Sequence, residues 1–168
     1  MRKFCLLSLS IAISLLFLGC ASSFLYKIDS KEIKNIDGTI YVTSMPIYID
    51  IWAMYYSDDL TISKVRQNNT EFYRFEVNLC LSDWLFIDTL NIKIDNGNTI
   101  TLTDKNPMRE VIPASTYYPT RVRELAYFIL EESIVNELKN CDSFVFQHKR
   151  DPVTIPQEGI AAIKNFLK

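Results

Sequence analysis

Apolar and polar positions alternate with a period of two through much of this chain. The clearest run is Phe72 to Ser82, where Tyr73, Phe75, Val77, Leu79 and Leu81 share one face. Arg74, Glu76, Asn78, Cys80 and Ser82 share the other, so the run predicts a strand buried on one side and wet on the other. A hairpin follows: Leu90, Ile92 and Ile94 lead into Asp95-Asn96-Gly97-Asn98, and Ile100 and Leu102 lead out. Asn-Gly between two alternating runs is the strongest short hairpin signal. Upstream, Thr39 to Thr43 is β-branched and aromatic. After Met45-Pro46, Ile47, Ile49, Ile51 and Ala53 alternate with Tyr48, Asp50, Trp52, Met54 and Tyr56. Asp58-Asp59 reads as a turn, Leu60 to Arg66 as a short strand and Gln67-Asn68-Asn69 as a polar break.

The second half adds helices. Residues 104–120 hold Pro107, Pro113 and Pro119 and read as a long connection with at most one extended piece. Arg121 to Leu130 is rich in aromatic and β-branched residues and reads as a strand. Glu131-Glu132 then suits a helix first turn, where carboxylates meet the positive end of the dipole, with Ile134, Val135 and Leu138 turned inward. Ser143 to His148 predicts a further strand. Thr154-Ile155-Pro156-Gln157 has the pattern of a capping box, ahead of a short amphipathic helix carrying Ile160, Ile163, Phe166 and Leu167. The sum is an α+β domain, mostly antiparallel β-sheet and sandwich-like, with two short helices, one at the C-terminus.

The first twenty residues follow a different pattern. Met1-Arg2-Lys3 is basic, Phe4 to Leu18 is an uncharged and mainly apolar run, and Gly19 sits directly before Cys20. This is the layout of a secretory signal. As a helix the run spans about 22 Å, short of the roughly 30 Å core of a bilayer. Phe17-Leu18-Gly19-Cys20 resembles a bacterial lipobox, of the relaxed kind that admits an aromatic residue three before the cysteine. The resemblance implies that the Cys20 thiol receives a diacylglyceryl group and that cleavage precedes it. It also places the chain at a cell membrane or outer membrane, lipid-anchored and facing the periplasm or exterior. An ordinary secretory signal with an incidental Cys20 is the alternative. The expected organisation is a signal peptide over 1–19, a lipidated cysteine and tether over 20–38, and a single domain over 39–168.

Loss of residues 1–19 leaves 149 of 168 residues, enough for one domain with a real core. It also removes Arg2 and Lys3, taking the formal net charge from −2 to −4. A mildly acidic, mixed surface argues against nucleic acid, whose phosphates need a basic stripe. No polybasic segment is present to hold the membrane, so the lipid must do so. Cys80 and Cys141 remain as a candidate disulfide in a compartment that permits one, with two free thiols as the alternative.

Chemical motifs are sparse. His148 is the one histidine, beside Lys149 and Arg150, and reads as a solvated strand-end residue. Catalytic bases and zinc sites lean heavily on histidine, so the common metal and triad sites are not expected. The three glycines after Gly19 are scattered and form no phosphate-cradling loop. Asp95–Asn98 lacks the alternating carboxylates and closing Glu of a calcium loop. No metal, cofactor or catalytic residue is assigned.

Two clusters stand out as candidate contacts. Tyr48, Asp50 and Trp52 put an acid among aromatics on one strand face, a mixture that suits a ligand groove or partner surface. Tyr117, Tyr118 and Arg121 bring together residue types favoured as binding anchors. Simple packing is the plainer reading of both clusters, with contact as the functional alternative. Trp84, the Asp95–Asn98 turn and the closing block from Pro152 to Leu167 are similar to small bacterial envelope lipoproteins, a resemblance that implies a fold and no activity. The expectation is a lipid-anchored, non-enzymatic binding or structural module. An accessory subunit of an envelope complex is the alternative, with a carboxylate-based hydrolase behind it.

Overall fold

The structure, a computed structural model, describes residues 26–35, 38–49, 58–68, 70–116, 119–149 and 151–168. Cys20, Asp50, Trp52, Tyr117 and Tyr118 lie outside the described residues. The strands are β1 (Asp29–Asn35), β2 (Gly38–Ile49), β3 (Asp58–Gln67), β4 (Thr70–Leu81), β5 (Thr89–Ile94), β6 (Ile100–Thr103), β7 (Met108–Ile112), β8 (Arg121–Leu130), β9 (Phe144–Gln147) and β10 (Val153–Thr154). Two helices complete the set, α1 (Glu132–Asn140) and α2 (Gln157–Phe166).

The strands form two antiparallel sheets, β1-β2-β3-β4-β8-β7 and β10-β9-β5-β6. The larger sheet curls, and its inner face packs on the smaller sheet. Phe75 of β4 stacks on Phe144 of β9 with ring centroids 5.6 Å apart, and Tyr48 of β2 meets Phe146 edge-on at 5.5 Å. Met45, Ile62, Phe75 and Phe128 make one row across the inner face, all buried. Ile134, Val135 and Leu138 of α1 and Ile160 and Ile163 of α2 close the core beside the sheets. The α+β architecture is as expected, with one helix at the C-terminus.

Several local expectations are corrected. The stretch over 20–38 is not tether throughout, because β1 pairs along its whole length with β2, from Asp29 opposite Ser44 to Asn35 opposite Gly38. Its described side chains are exposed on both faces, so no alternation marked it as a strand. The described chain in fact starts packing at Tyr26, whose N–H donates to the carbonyl of Pro46 at 3.3 Å and whose ring joins the core.

Met45-Pro46 does not break β2. β1 stops pairing at Ser44, so Pro46, which has no N–H to offer, sits where that side of β2 carries no ladder. A register shift between Pro46 and Tyr48 then turns Tyr48 inward, opposite Leu60, instead of onto the outer face. Asp58-Asp59 starts β3 and is not a turn. The capping box does not form: Thr154 belongs to β10, Pro156 is the N-cap and no side chain caps α2. His148 is buried beside Phe146, not solvated, because it continues the inward alternation of Phe144 and Phe146.

Cys80 and Cys141 are both free. Cys80 sits between the inward-facing Leu79 and Leu81 and therefore projects to the outer face of the larger sheet, opposite Arg123. Cys141 is buried at the end of α1, where its thiol donates to the carbonyl of Leu138 at 3.3 Å. The two thiols occupy opposite sides of the sheet, which rules out a bond between them in this fold.

Candidate functional site

The larger sheet is longer than the layer that covers it, and its two ends differ in chemistry. At one end lie the start of β2, the β3–β4 turn at Asn68 and the last turn of α2. Here the inner face runs on past the core as an open groove. Its rows are Glu32-Tyr41-Arg66-Glu71 and Ser30-Thr43-Lys64-Tyr73, read across β1 to β4. The Arg66 guanidinium lies 4.9 Å from the centre of the Tyr41 ring, and the Lys64 ammonium lies 5.6 Å from that of Tyr73. Such cation–ring contacts hold both side chains against the sheet. Lys64 also pairs with Glu71 at 2.8 Å, and that hydrogen bond pushes the ammonium above the usual lysine range.

Beyond Lys64 the groove opens into a cavity of ≈ 480 Å³ between the sheet and the helices. Leu130, Val135 and Leu167 lie beneath it, almost wholly covered, so the surface it presents is mostly polar. Lys139 and Lys168 stand at its rim with Glu132. A neighbouring hollow of ≈ 230 Å³ continues it along Tyr41 and Arg66, sharing Lys64 and Glu71. The arrangement offers cations, two acids and tyrosine faces along one continuous path.

The opposite end gathers the candidate segments read from sequence. Ile49 and Asp58, which bound the connection carrying Asp50 and Trp52, both lie there. So do Ile112 and Arg121, which bound the connection carrying Tyr117 and Tyr118. The loop after β4, residues 82–88, leaves from the same end. Of the candidate residues that are described, Tyr48 is half-buried against Phe146 and Arg121 is half-buried at the start of β8.

The sequence reading missed the group that organises this end. Glu124 of β8 has no exposed surface, yet it faces inward. Its Oε1 accepts the backbone N–H of Leu85 at 2.6 Å and of Phe86 at 2.9 Å, and its Oε2 that of Ile87 at 2.8 Å. Arg109 of β7, its cross-strand neighbour, adds an ion pair at 3.3 Å. Four donors on one carboxylate fix the loop, and they answer the cost of burying the charge. Phe86 is held at φ 54° and is 57% exposed, with its ring 6.3 Å from that of Trp84 and 5.3 Å from the Arg109 guanidinium. Val111 of β7, 58% exposed, lies at the same end.

Among the described residues no group of three or more His, Cys, Asp and Glu side chains is placed to hold a metal ion. No helix among them is long and apolar enough to cross a membrane. No protein-family model, curated protein or solved structure matches this chain.

Proposed function

We propose that the chain is a lipid-anchored binding module of the cell envelope, held through Cys20 and using the groove along Tyr41, Lys64, Tyr73, Lys139 and Lys168 for its ligand. The observation that carries the binding role is the groove itself. A sheet face that runs on past its helices presents cations seated on tyrosine rings along a concave path, the kind of surface on which polar ligands are held. The chemistry suits an extended polar ligand with acidic groups. The anchor rests on the lipobox-like sequence ahead of Cys20, and Tyr26, the first of the described residues and packed on the core, follows it by six positions.

Intact mass and membrane fractionation of the native protein beside a Cys20→Ser variant test the anchor. Acylated, membrane-bound wild type with a soluble variant supports it, and an unlipidated soluble wild type overturns it. A photo-crosslinking residue at position 73, compared in cells with one at position 129 on the outer face, tests the groove. Products specific to position 73 support the binding role, and identical products at both positions argue against the groove.

A further inference from the structure

We infer that the end of the larger sheet bearing Trp84 and Phe86 rests against the lipid surface when the chain is held through Cys20. This orientation depends on the anchoring reading above, and adds which face of the domain meets the membrane. Two independent observations carry it: where the chain enters the fold, and what that end exposes.

β1 runs from Asp29, opposite Ser44, to Asn35, opposite Gly38, so the residues before it lie toward the Ile49 end of β2. Tyr26 is fixed at the level of Pro46 by its backbone hydrogen bond. From Cys20 to Tyr26 the chain spans at most about 20 Å, however it is folded. Pro46 aligns through Thr61 with Glu76, and Glu124 aligns with Leu79, three residues further along β4. At about 3.3 Å per residue the Phe86 loop, bound to Glu124, therefore lies about 10 Å beyond the entry point. Gly38, at the other end of β2, is eight residues from Pro46, or about 26 Å. The leash is long enough to let the Phe86 end down onto the bilayer with slack. It is too short to bring the Gly38 end there.

Chemistry separates this orientation from one in which the domain lies on its β1 edge. That edge is Asp29-Ser30-Lys31-Glu32-Ile33-Lys34-Asn35, where one exposed apolar residue, Ile33, stands among charged and polar ones and no aromatic ring is present. The Phe86 end instead offers an exposed Phe, a neighbouring Trp and an exposed Val, with the Arg109 guanidinium over the Phe ring. Aromatic rings beside a cation are what the interface between water and acyl chains favours. The loop needs no ordering on contact, because Glu124 already holds its backbone. Asp83 and Asp88 flank it, so the contact is made by rings and not by net positive charge. The groove at the other end then faces away from the membrane, open to a ligand.

The test uses acylated protein purified from membranes and reconstituted into phosphatidylethanolamine–phosphatidylglycerol vesicles, with Trp52→Phe leaving Trp84 as the sole tryptophan. A lipid spin-labelled near the head of its acyl chain serves as quencher. Trp84 emission is expected to shift to the blue and to lose intensity as the labelled fraction rises. A second protein, with Trp52→Phe, Trp84→Phe and Tyr73→Trp, is expected to keep its intensity. Bound, acylated protein whose Trp84 is not quenched, or in which position 73 is quenched as strongly, overturns the orientation alone. Protein that carries no acyl group and does not bind overturns the anchor and the orientation with it.

Discussion

The carboxylate of Glu124 accepts the backbone N–H of Phe86 at 2.9 Å, so an acid with no exposed surface fixes a residue that is 57% exposed. The bond ties the inner face of the large sheet to its most apolar exposed loop. A carboxylate that has given up water must recover its hydrogen bonds from the protein, and three backbone donors and one guanidinium do so here. The acid is thus a structural part whose visible effect is the posture of a surface loop.

Glu124→Leu strands the N–H groups of Leu85, Phe86 and Ile87 and leaves Arg109 without its partner. The expected cost is about 3–5 kcal/mol, the range for breaking a buried ion pair from one side. Glu124→Gln keeps an acceptor oxygen but turns an amide NH₂ toward another donor, so it falls between wild type and Glu124→Leu. Urea unfolding monitored by tryptophan emission reads both. If Glu124→Leu costs less than about 1 kcal/mol, the loop is held by something else.

Most strands were legible because one of their faces is wet. β4, the β5–β6 hairpin and the inward residues of α1 fall where periodicity placed them. β1 was not legible, because an edge strand exposed on both faces has no apolar side to alternate. Glu124 left a trace that went unused: Val122, Ala126, Phe128 and Leu130 make an apolar set at every second residue, and Glu124 is its one charged member. An acid in an inward register needs donors, and that mismatch points to a buried clamp. That Ile49, Asp58, Ile112 and Arg121, which bound the segments carrying Trp52 and Tyr117, share one end of the sheet was invisible, since it follows from the pairing of β8 with β4 and β7.

Asp95 gives a pH prediction. Its Oδ1 accepts the N–H of Asp142 and of Ser143, each at 2.7 Å, and so ties the β5–β6 hairpin to the approach to β9. The backbone bonds from Ser143 and then Asp142 favour the ionised form and hold the carboxyl below its usual range. A depressed carboxyl adds stability above its ordinary pKa, and that contribution disappears as pH falls through the lowered value. The amide resonances of Asp142 and Ser143 should move together in an acid titration, with a midpoint below about 3.9. Asp95→Asn should abolish that step. A midpoint at or above the ordinary value would sink the assignment.

The two thiols should behave as strangers. Cys80 is half-buried on the outer sheet face, whereas Cys141 is buried and its burial pushes the thiol above the usual range. A thiol-specific reagent at neutral pH is expected to modify Cys80 in the folded protein and to reach Cys141 only on unfolding, since the thiolate is the reactive form. Mass spectrometry after oxidative purification should show both residues reduced. A Cys80–Cys141 peptide recovered from folded protein would contradict the sidedness of the sheet.

Gly159 sets how firmly the start of the domain is held. A Cβ built there would sit 2.6 Å from Ile155 Cγ2 and 3.0 Å from the Tyr26 hydroxyl oxygen. Ile155, the nearer contact, is 3% exposed and has little room to yield, and the Tyr26 hydroxyl must give as well. Gly159→Ala therefore overpacks this seat, at an expected cost of about 1–3 kcal/mol, despite the better helix propensity of alanine. Burial of Tyr26, with Glu158 nearby, holds its phenol above the usual range. Displacement in the variant should bring its ionisation back down, and cleavage by trypsin after Lys27 should quicken. Tyr26→Phe beside it keeps the ring seated and removes the hydroxyl that makes the second of these contacts. Gly159→Ala in a Tyr26→Phe background should thus lose part of its penalty. Strict additivity of the two changes would mean that Tyr26 is not what the glycine accommodates.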